Sequence, residues 1–579
     1  MHAGHEEESV AAARLRAEQA HSRARDAVAR AHRTLSDNLI ATTTAGVVQG
    51  FRKNISELDA EAAELDAEHS PAMVIGPGAG SPATTVRCWR GIPYGADTGG
   101  EYRFKPPRPA PRWDGIRDCG NFGAIAPQTT YSWTDKIIGS EDCLNLDIVR
   151  PDTEEQLPVV VYLHGGSFIV GASHLGMLQG HHLASAMNVV YVSINFRLGV
   201  LGYLDLRSIP GDAAANPAVM DQLLALEWVR DNIAAFGGNP DNVTLMGESA
   251  GGAAVLTMMA VPRAHGLFHR AIAQSPPIGM IHSKTQSQFW ARELVNRMAL
   301  PRMTDIGTLR QAHFSEVVRA GQSMMWRSKE LLHLNSCFAP TVDGQLIPQH
   351  PLDAFEQGKQ AQVPLLIGTN SDEASFSRFL YIREAARSRA AVRLLSSFDN
   401  KSAEDVVAAY NGATSRHNFA QLVTDALFWA PTVRVASSHS RTQPTWMYRF
   451  DYSTNVLRKL GLGAMHSMEL SNIFGDPDAS RMSILTRWGD TTAMDGLTKQ
   501  MQAQWASFIH DGEVLGDWPR YSADADRLTK VFDHPSRIEK DPRARKREAW
   551  ESYAMDEWGK GRPELLEKLG FLAALPDTR

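Results

Sequence analysis

Six short runs, continuously apolar and rich in β-branched residues, constrain this chain more than any other feature: Pro158–His164, Val189–Asn195, Val243–Gly247, Ala271–Gln274, Val363–Thr369 and Thr445–Asp451. A strand with one face in water alternates apolar and polar residues, whereas a run apolar throughout has both faces covered. Helical stretches lie between the runs. One is Met220–Phe236, which stops at Gly237-Gly238, where a left-handed C-cap residue is expected. Alternating β and α predicts an α/β chain with one large, mostly parallel sheet covered by helices. At roughly 150 residues per domain, 579 residues would suggest about four domains, but no composition break divides them. The expectation is one large domain over 38–579 behind an appendage at 1–37.

That appendage, from Ser9 to Leu35, has neither Gly nor Pro and is dominated by Ala and Arg, so it reads as one long helix with Ser9 as N-cap. Val10, Ala13, Ala17, Ala20, Ala24, Ala27 and Ala31 recur at spacings of three and four, a stripe of small residues. Two readings are open: a close-packed helix pair at a homo-oligomer seam, or a helix lying on its own domain. An insertion at about 54–83 follows, with acids and no Lys or Arg over Ile55–His69 and a Gly/Pro-rich loop from Pro71 to Pro82. The acidic part reads as a short solvated helix.

Charge and cysteine content exclude several classes. The 59 basic and 65 acidic residues leave a net charge of −6, with no polyanion-binding signal, so nucleic acid is not an expected partner. No run approaches the ~18 apolar residues that span a bilayer. The N-terminus lacks a basic segment followed by an apolar one, so a cytoplasmic location is expected. Four cysteines are too few for a disulfide framework. No His/Asp/Glu cluster shows metal-ligand spacing, so neither a metal nor a cofactor is expected.

The chemistry concentrates in Gly247-Glu248-Ser249-Ala250-Gly251-Gly252, between the apolar run at Val243 and the helical Ala253–Ala260. This is G-x-S-x-G between a strand and a helix, a sharp turn that lifts Ser249 above the sheet. The helix start aims free N–H groups at an anion formed beside the serine. Upstream, His164-Gly165-Gly166-Ser167-Phe168 follows another strand. Its paired glycines can offer unhindered N–H groups to an oxyanion, with Ala250 N–H as a third donor. A serine nucleophile needs a base oriented by an acid, expected in the chain order Ser, acid, His. Asp372-Glu373, where the strand ending at Asn370 gives way to a loop, supplies the acid, and either neighbour could serve. His466, in Gly463-Ala-Met-His466-Ser-Met-Glu469, is the candidate base by position and order.

Together these segments and others resemble the type-B carboxylesterase and cholinesterase family of α/β-hydrolases, from about Ala45 to about Asp533. Further matching motifs are Trp89-Arg-Gly-Ile-Pro-Tyr94, Arg103-Phe-Lys-Pro-Pro107, Ser140-Glu-Asp-Cys-Leu-Asn-Leu146, Asn195-Phe-Arg-Leu-Gly199, Asp221-Gln-Leu-Leu-Ala-Leu-Glu-Trp228, Phe236-Gly-Gly-Asn-Pro240, Pro340-Thr-Val-Asp-Gly344 and Phe474-Gly475. The resemblance implies an α/β-hydrolase fold. It also implies Ser249 as nucleophile, Glu373 as acid, His466 as base, and Gly165, Gly166 and Ala250 as oxyanion hole.

The implied reaction is serine carboxylesterase chemistry on a small-molecule ester through an acyl-enzyme. The same machinery could act on a carbamate or amide bond. Loss of one oxyanion donor should cost about 10²–10³ in rate, and activity should rise with pH through an imidazole ionisation near ~6.5. A non-catalytic esterase-like binding protein usually lacks part of the triad, and here all three positions are filled. The family often pairs the cysteine of Glu-Asp-Cys with one before Pro-Gln. That upstream position is Ala126 here, with Cys119 seven residues earlier, so a bridge between Cys119 and Cys143 stays open. Gln274-Ser-Pro-Pro277 in place of Gln-Ser-Gly implies a reshaped pocket, whose residues the sequence does not assign.

Overall fold

A computed structural model describes residues 39–61, 85–130, 136–327, 336–396, 399–476, 491–516 and 518–555. The Ser9–Leu35 helix and its oligomer seam, and the insertion beyond residue 61 up to residue 84, lie outside the described residues.

Eleven strands form one sheet. In chain order they are β1 (Phe51–Asn54), β2 (Thr85–Pro93), β3 (Asn145–Pro151), β4 (Leu157–Leu163), β5 (Val190–Ile194), β6 (Gly238–Glu248), β7 (Arg270–Gln274), β8 (Leu365–Asn370), β9 (Thr445–Phe450), β10 (Thr529–Phe532) and β11 (Arg537–Glu539). Across the sheet they run β11-β10-β9-β8-β7-β6-β4-β5-β3-β2-β1. The stretch from β5 through β4 and β6 to β10 is parallel throughout. β1, β2 and β3 on one side and β11 on the other are antiparallel.

The six apolar runs all lie in this parallel stretch, and their side chains divide between two cores. Val159, Val161 and Leu163 of β4 face one side with Val192, Leu245, Ala273 and Ile367. Val160 and Tyr162 face the other with Tyr191, Met246, Ile272, Leu366 and Trp446. Both faces are buried, and an alternating pattern would have left one wet. Helix α1 (His181–Met187) packs in the second core, while α2 (Pro217–Asn232) and α3 (Ala250–Ala260) pack in the first. α2 runs on as a 3₁₀ turn to Phe236 and ends at Gly237, which is left-handed at φ 74°.

Two of the quoted motifs meet in the core. Arg197 grips Asp221 of α2 with Nη2 on Oδ1 at 2.6 Å and Nε on Oδ2 at 2.9 Å. Its Nη1 donates to Lys105 O, and both side chains are buried. Removing one partner strands the other charge away from water. Asp221→Ala should therefore cost about 3–5 kcal/mol, read as a lower midpoint in equilibrium urea unfolding. A paired Arg197→Met/Asp221→Leu variant should lose less than Asp221→Ala, and the reverse ranking would contradict this account.

The acidic insertion departs from expectation. Residues 55–61 are helical, but the helix is not solvated all round. Ile55 and Leu58 are buried in the second core, Arg90 Nη2 holds Glu61 at 3.1 Å, and Asp59 reaches α1. Cys88, Cys119, Cys143 and Cys337 are all buried free thiols, so the Cys119–Cys143 bridge is not formed. Among the described residues no helix is long and apolar enough to cross a membrane.

Candidate active site

Every candidate site residue stands beyond the carboxyl end of a parallel strand, where an open α/β sheet presents its reactive groups. Ser249 follows β6 and precedes α3, with φ 58° and ψ −125°. A non-glycine residue holds a positive φ only when its surroundings impose it. Here Ser249 N–H donates to Gln274 O at 2.9 Å, while Ala253 N–H returns to Ser249 O. The turn also needs close backbone approach, because a Cβ at Gly251 would collide with the Leu163 carbonyl.

After β4, Gly165 lies against the serine, since a Cβ there would stand 3.3 Å from Ser249 Cβ. Gly166 turns at φ +113°, where a side chain would strike the Val170 carbonyl. Among the described residues neither the Gly165 nor the Gly166 N–H has a protein acceptor. Ala250, in the first turn of α3, likewise has an N–H without an intrahelical partner. His164 shapes this loop: it stacks on Phe196 at 4.3 Å, and its Nδ1–H donates to Gly165 O at 2.9 Å. Burial pushes its pKa down to about 4, so the ring is neutral near pH 7.

His466 closes the arrangement. Its Nε2 is 2.8 Å from Ser249 Oγ, and its Nδ1 is 2.6 Å from Glu373 Oε2. The other oxygen of Glu373 accepts from Asn370 N–H at 2.7 Å, which fixes the carboxylate. Asp372, its equal on local pattern, turns away: it accepts from Ser371 Oγ–H at 2.6 Å and from Ala464 N–H at 3.3 Å, tying down the loop that carries His466. The structure thus brings Ser249, His466, Glu373, Gly165, Gly166 and Ala250 together.

Sequence reasoning quoted Glu248 and Glu469 within motifs but gave them no role. Glu248 lies buried with Oε1 at 3.4 Å from His466 Nε2, and accepts from Ser467 Oγ–H at 2.6 Å. Glu469 is buried behind, bonded by Asn370 Nδ2–H at 2.6 Å. Burial, then Glu248 and Glu373, push Glu469 up to about 8, and burial also raises Glu248. The Phe428 ring lies 4.7 Å from the His466 ring; nothing in the local sequence around Phe428 signals this. Nearby, Phe168 packs on Tyr203 at 4.4 Å.

Burial opposes a charge on His466, but Glu248, then Glu373 and Glu469, outweigh it and push the imidazole pKa up, above the value of ~6.5 taken from the sequence. A base must be neutral to accept a proton, so the acidic limb of kcat/KM should lie above pH ~6.5. Glu248→Gln removes one of the charges that raise it. The limb should then move down by about one pH unit, read from pH–rate profiles on one p-nitrophenyl ester; an unmoved limb would show that Glu248 does not act on His466.

A parallel sheet with a strained serine after β6, an imidazole on its Oγ and a glycine-lined backbone opposite defines an α/β-hydrolase of the serine type. The chain belongs to the Carboxylesterase family, whose sequence profile matches residues 72–550, and it is a carboxylic ester hydrolase. It is 34% identical over 482 residues to para-nitrobenzyl esterase of Bacillus subtilis (strain 168), covering 81% of this chain and 96% of that protein. It is 30% identical over 478 residues to phenmedipham hydrolase of Pseudarthrobacter oxydans, covering 78% of this chain and 93% of the other. A solved PNB esterase structure superposes with a TM-score of 0.74 at 30% identity, over 89% of this chain and 99% of that one.

Proposed function

We propose that Ser249 is the nucleophile of this hydrolase, His466 its general base and Glu373 the acid that orients the base. Ser249 Oγ attacks the ester carbonyl carbon while His466 Nε2 takes its proton. The tetrahedral oxyanion is met by the N–H groups of Gly165, Gly166 and Ala250. The imidazolium returns its proton to the leaving alkoxide, so alcohol departs and an acyl-serine remains. Water, activated by the same imidazole, then releases the acid. One observation carries this reading: the unbroken hydrogen-bond chain from Ser249 through His466 to Glu373, at 2.8 and 2.6 Å.

A fluorophosphonate tests it, because only an activated serine displaces fluoride. Peptide mass analysis should find one phosphonyl group, on Ser249; modification elsewhere, or none, would overturn the assignment. We further propose that residues 38–579 form the hydrolase unit and that 1–37 are an appendage acting as a homo-oligomer seam. The stripe of small residues from Val10 to Ala31 supports this. Light scattering of the full chain against a chain lacking 1–37 tests it, and an equal number of subunits in the two would refute it. A cytoplasmic location is supported by the four free thiols.

A further inference from the structure

Away from the serine, three segments remote in sequence converge on one point. Asp59 comes from the helix at 55–61, His181 and His182 open α1, and Asp476 follows the short helix Leu470–Phe474. Asp59 Oδ1 accepts from both imidazoles at once, from His181 Nε2 at 2.7 Å and His182 Nε2 at 2.9 Å. One ligand atom from each of the four residues lies within 4.8 Å of all the others. Nothing in the ester-hydrolysis reading uses these residues.

We propose that Asp59, His181, His182 and Asp476 form a binding site for a divalent cation of the zinc type, which clamps the acidic insertion to α1. Two imidazoles and two carboxylates are a donor set for Zn²⁺ or Co²⁺; Mg²⁺ and Ca²⁺ prefer oxygen alone. Two aspartates neutralise the double charge, which the half-buried site requires. Bonds of about 2.0–2.1 Å in a tetrahedron place ligand atoms about 3.3 Å apart. The Nε2–Oδ1 separations of 2.7 and 2.9 Å therefore have to open by only about half an ångström.

The proton balance is simple. Without metal, each Nε2–H donates to Asp59; with metal, each imidazole ligates through a bare Nε2, its hydrogen carried on Nδ1. A proton is released only from an imidazole that was cationic beforehand. His181 is almost wholly buried and among the described residues its Nδ1 has no hydrogen-bond partner, so this change of tautomer breaks no bond to them on that side of the ring.

The full chain, stripped with a chelator and equilibrated with ZnCl₂, should retain one zinc after desalting. Its apparent Tm should rise by about 3 °C at saturating metal. Co²⁺ in place of zinc should give a visible d–d band. Asp59→Asn/His182→Gln should lose the bound metal, the Tm rise and the cobalt band, and keep its p-nitrophenyl esterase activity. If that pair does not fold, Asp59→Asn alone, which leaves both imidazoles, is read in its place. Zinc content equal in wild type and variant, or no retained zinc in the wild type, would overturn the site.

Discussion

Ser249→Ala should lower kcat on p-nitrophenyl esters by about 10⁶ while leaving the fold intact. Alanine can keep the backbone of the elbow, because the bonds that hold it are made by the Ser249 amide and carbonyl, not by Oγ. Among the described residues the side chain bonds only to His466 Nε2, so no buried partner besides the imidazole is abandoned. The loss must also be non-additive. Nucleophile and base act as one unit, so Ser249→Ala/His466→Ala should be no slower than Ser249→Ala alone. What survives in both is the rate the oxyanion donors supply, about 10³–10⁴ over water. Multiplying losses in the double variant, or a single-variant loss under about tenfold, would sink the assignment.

How legible each part was depends on how local its cause is. Ser249 and the glycine pair were plain because a strand, a turn and a helix start within ten contiguous residues define them. The choice between Asp372 and Glu373 was not local. Asn370 N–H captures Glu373 and Ala464 N–H captures Asp372, and the second contact crosses from one loop to another. Only the family resemblance separated them in the sequence.

Burial of polar residues hid other elements. β3 is buried along nearly its whole length yet contains Asp147 and Arg150, so no apolar run marks it. Gly91 N–H and Ser173 Oγ–H satisfy Asp147, and Arg150 caps the carbonyls of Phe236, Thr153 and Glu155. In the acidic helix, Ile55 and Leu58 stand three apart and mark a buried face, among acids that by composition signal a wet one. The Asp59–His181–His182–Asp476 cluster follows no sequence spacing, because the fold alone assembles it.

Glu373→Gln should cost about 10⁴ in kcat, less than losing the nucleophile but large for a change of one oxygen to nitrogen. The reason is the direction of a single hydrogen bond. Asn370 N–H requires an acceptor at the inner position of residue 373, so the glutamine carbonyl must occupy it. The amide NH₂ then faces His466 Nδ1, where Glu373 Oε2 now sits at 2.6 Å. A donor there demands a bare Nδ1, which puts the imidazole proton on Nε2, toward Ser249. The ring can then no longer take the serine proton. The substitution also removes a charge that stabilises the imidazolium, so the residual activity should show its acidic limb at lower pH than the wild type. Glu373→Asp keeps the charge and an acceptor at the cost of one methylene of reach, and should retain more activity than Glu373→Gln. If the two variants were equally impaired, reach rather than tautomer would govern this position. A loss below tenfold in Glu373→Gln would mean that His466 is oriented by another group.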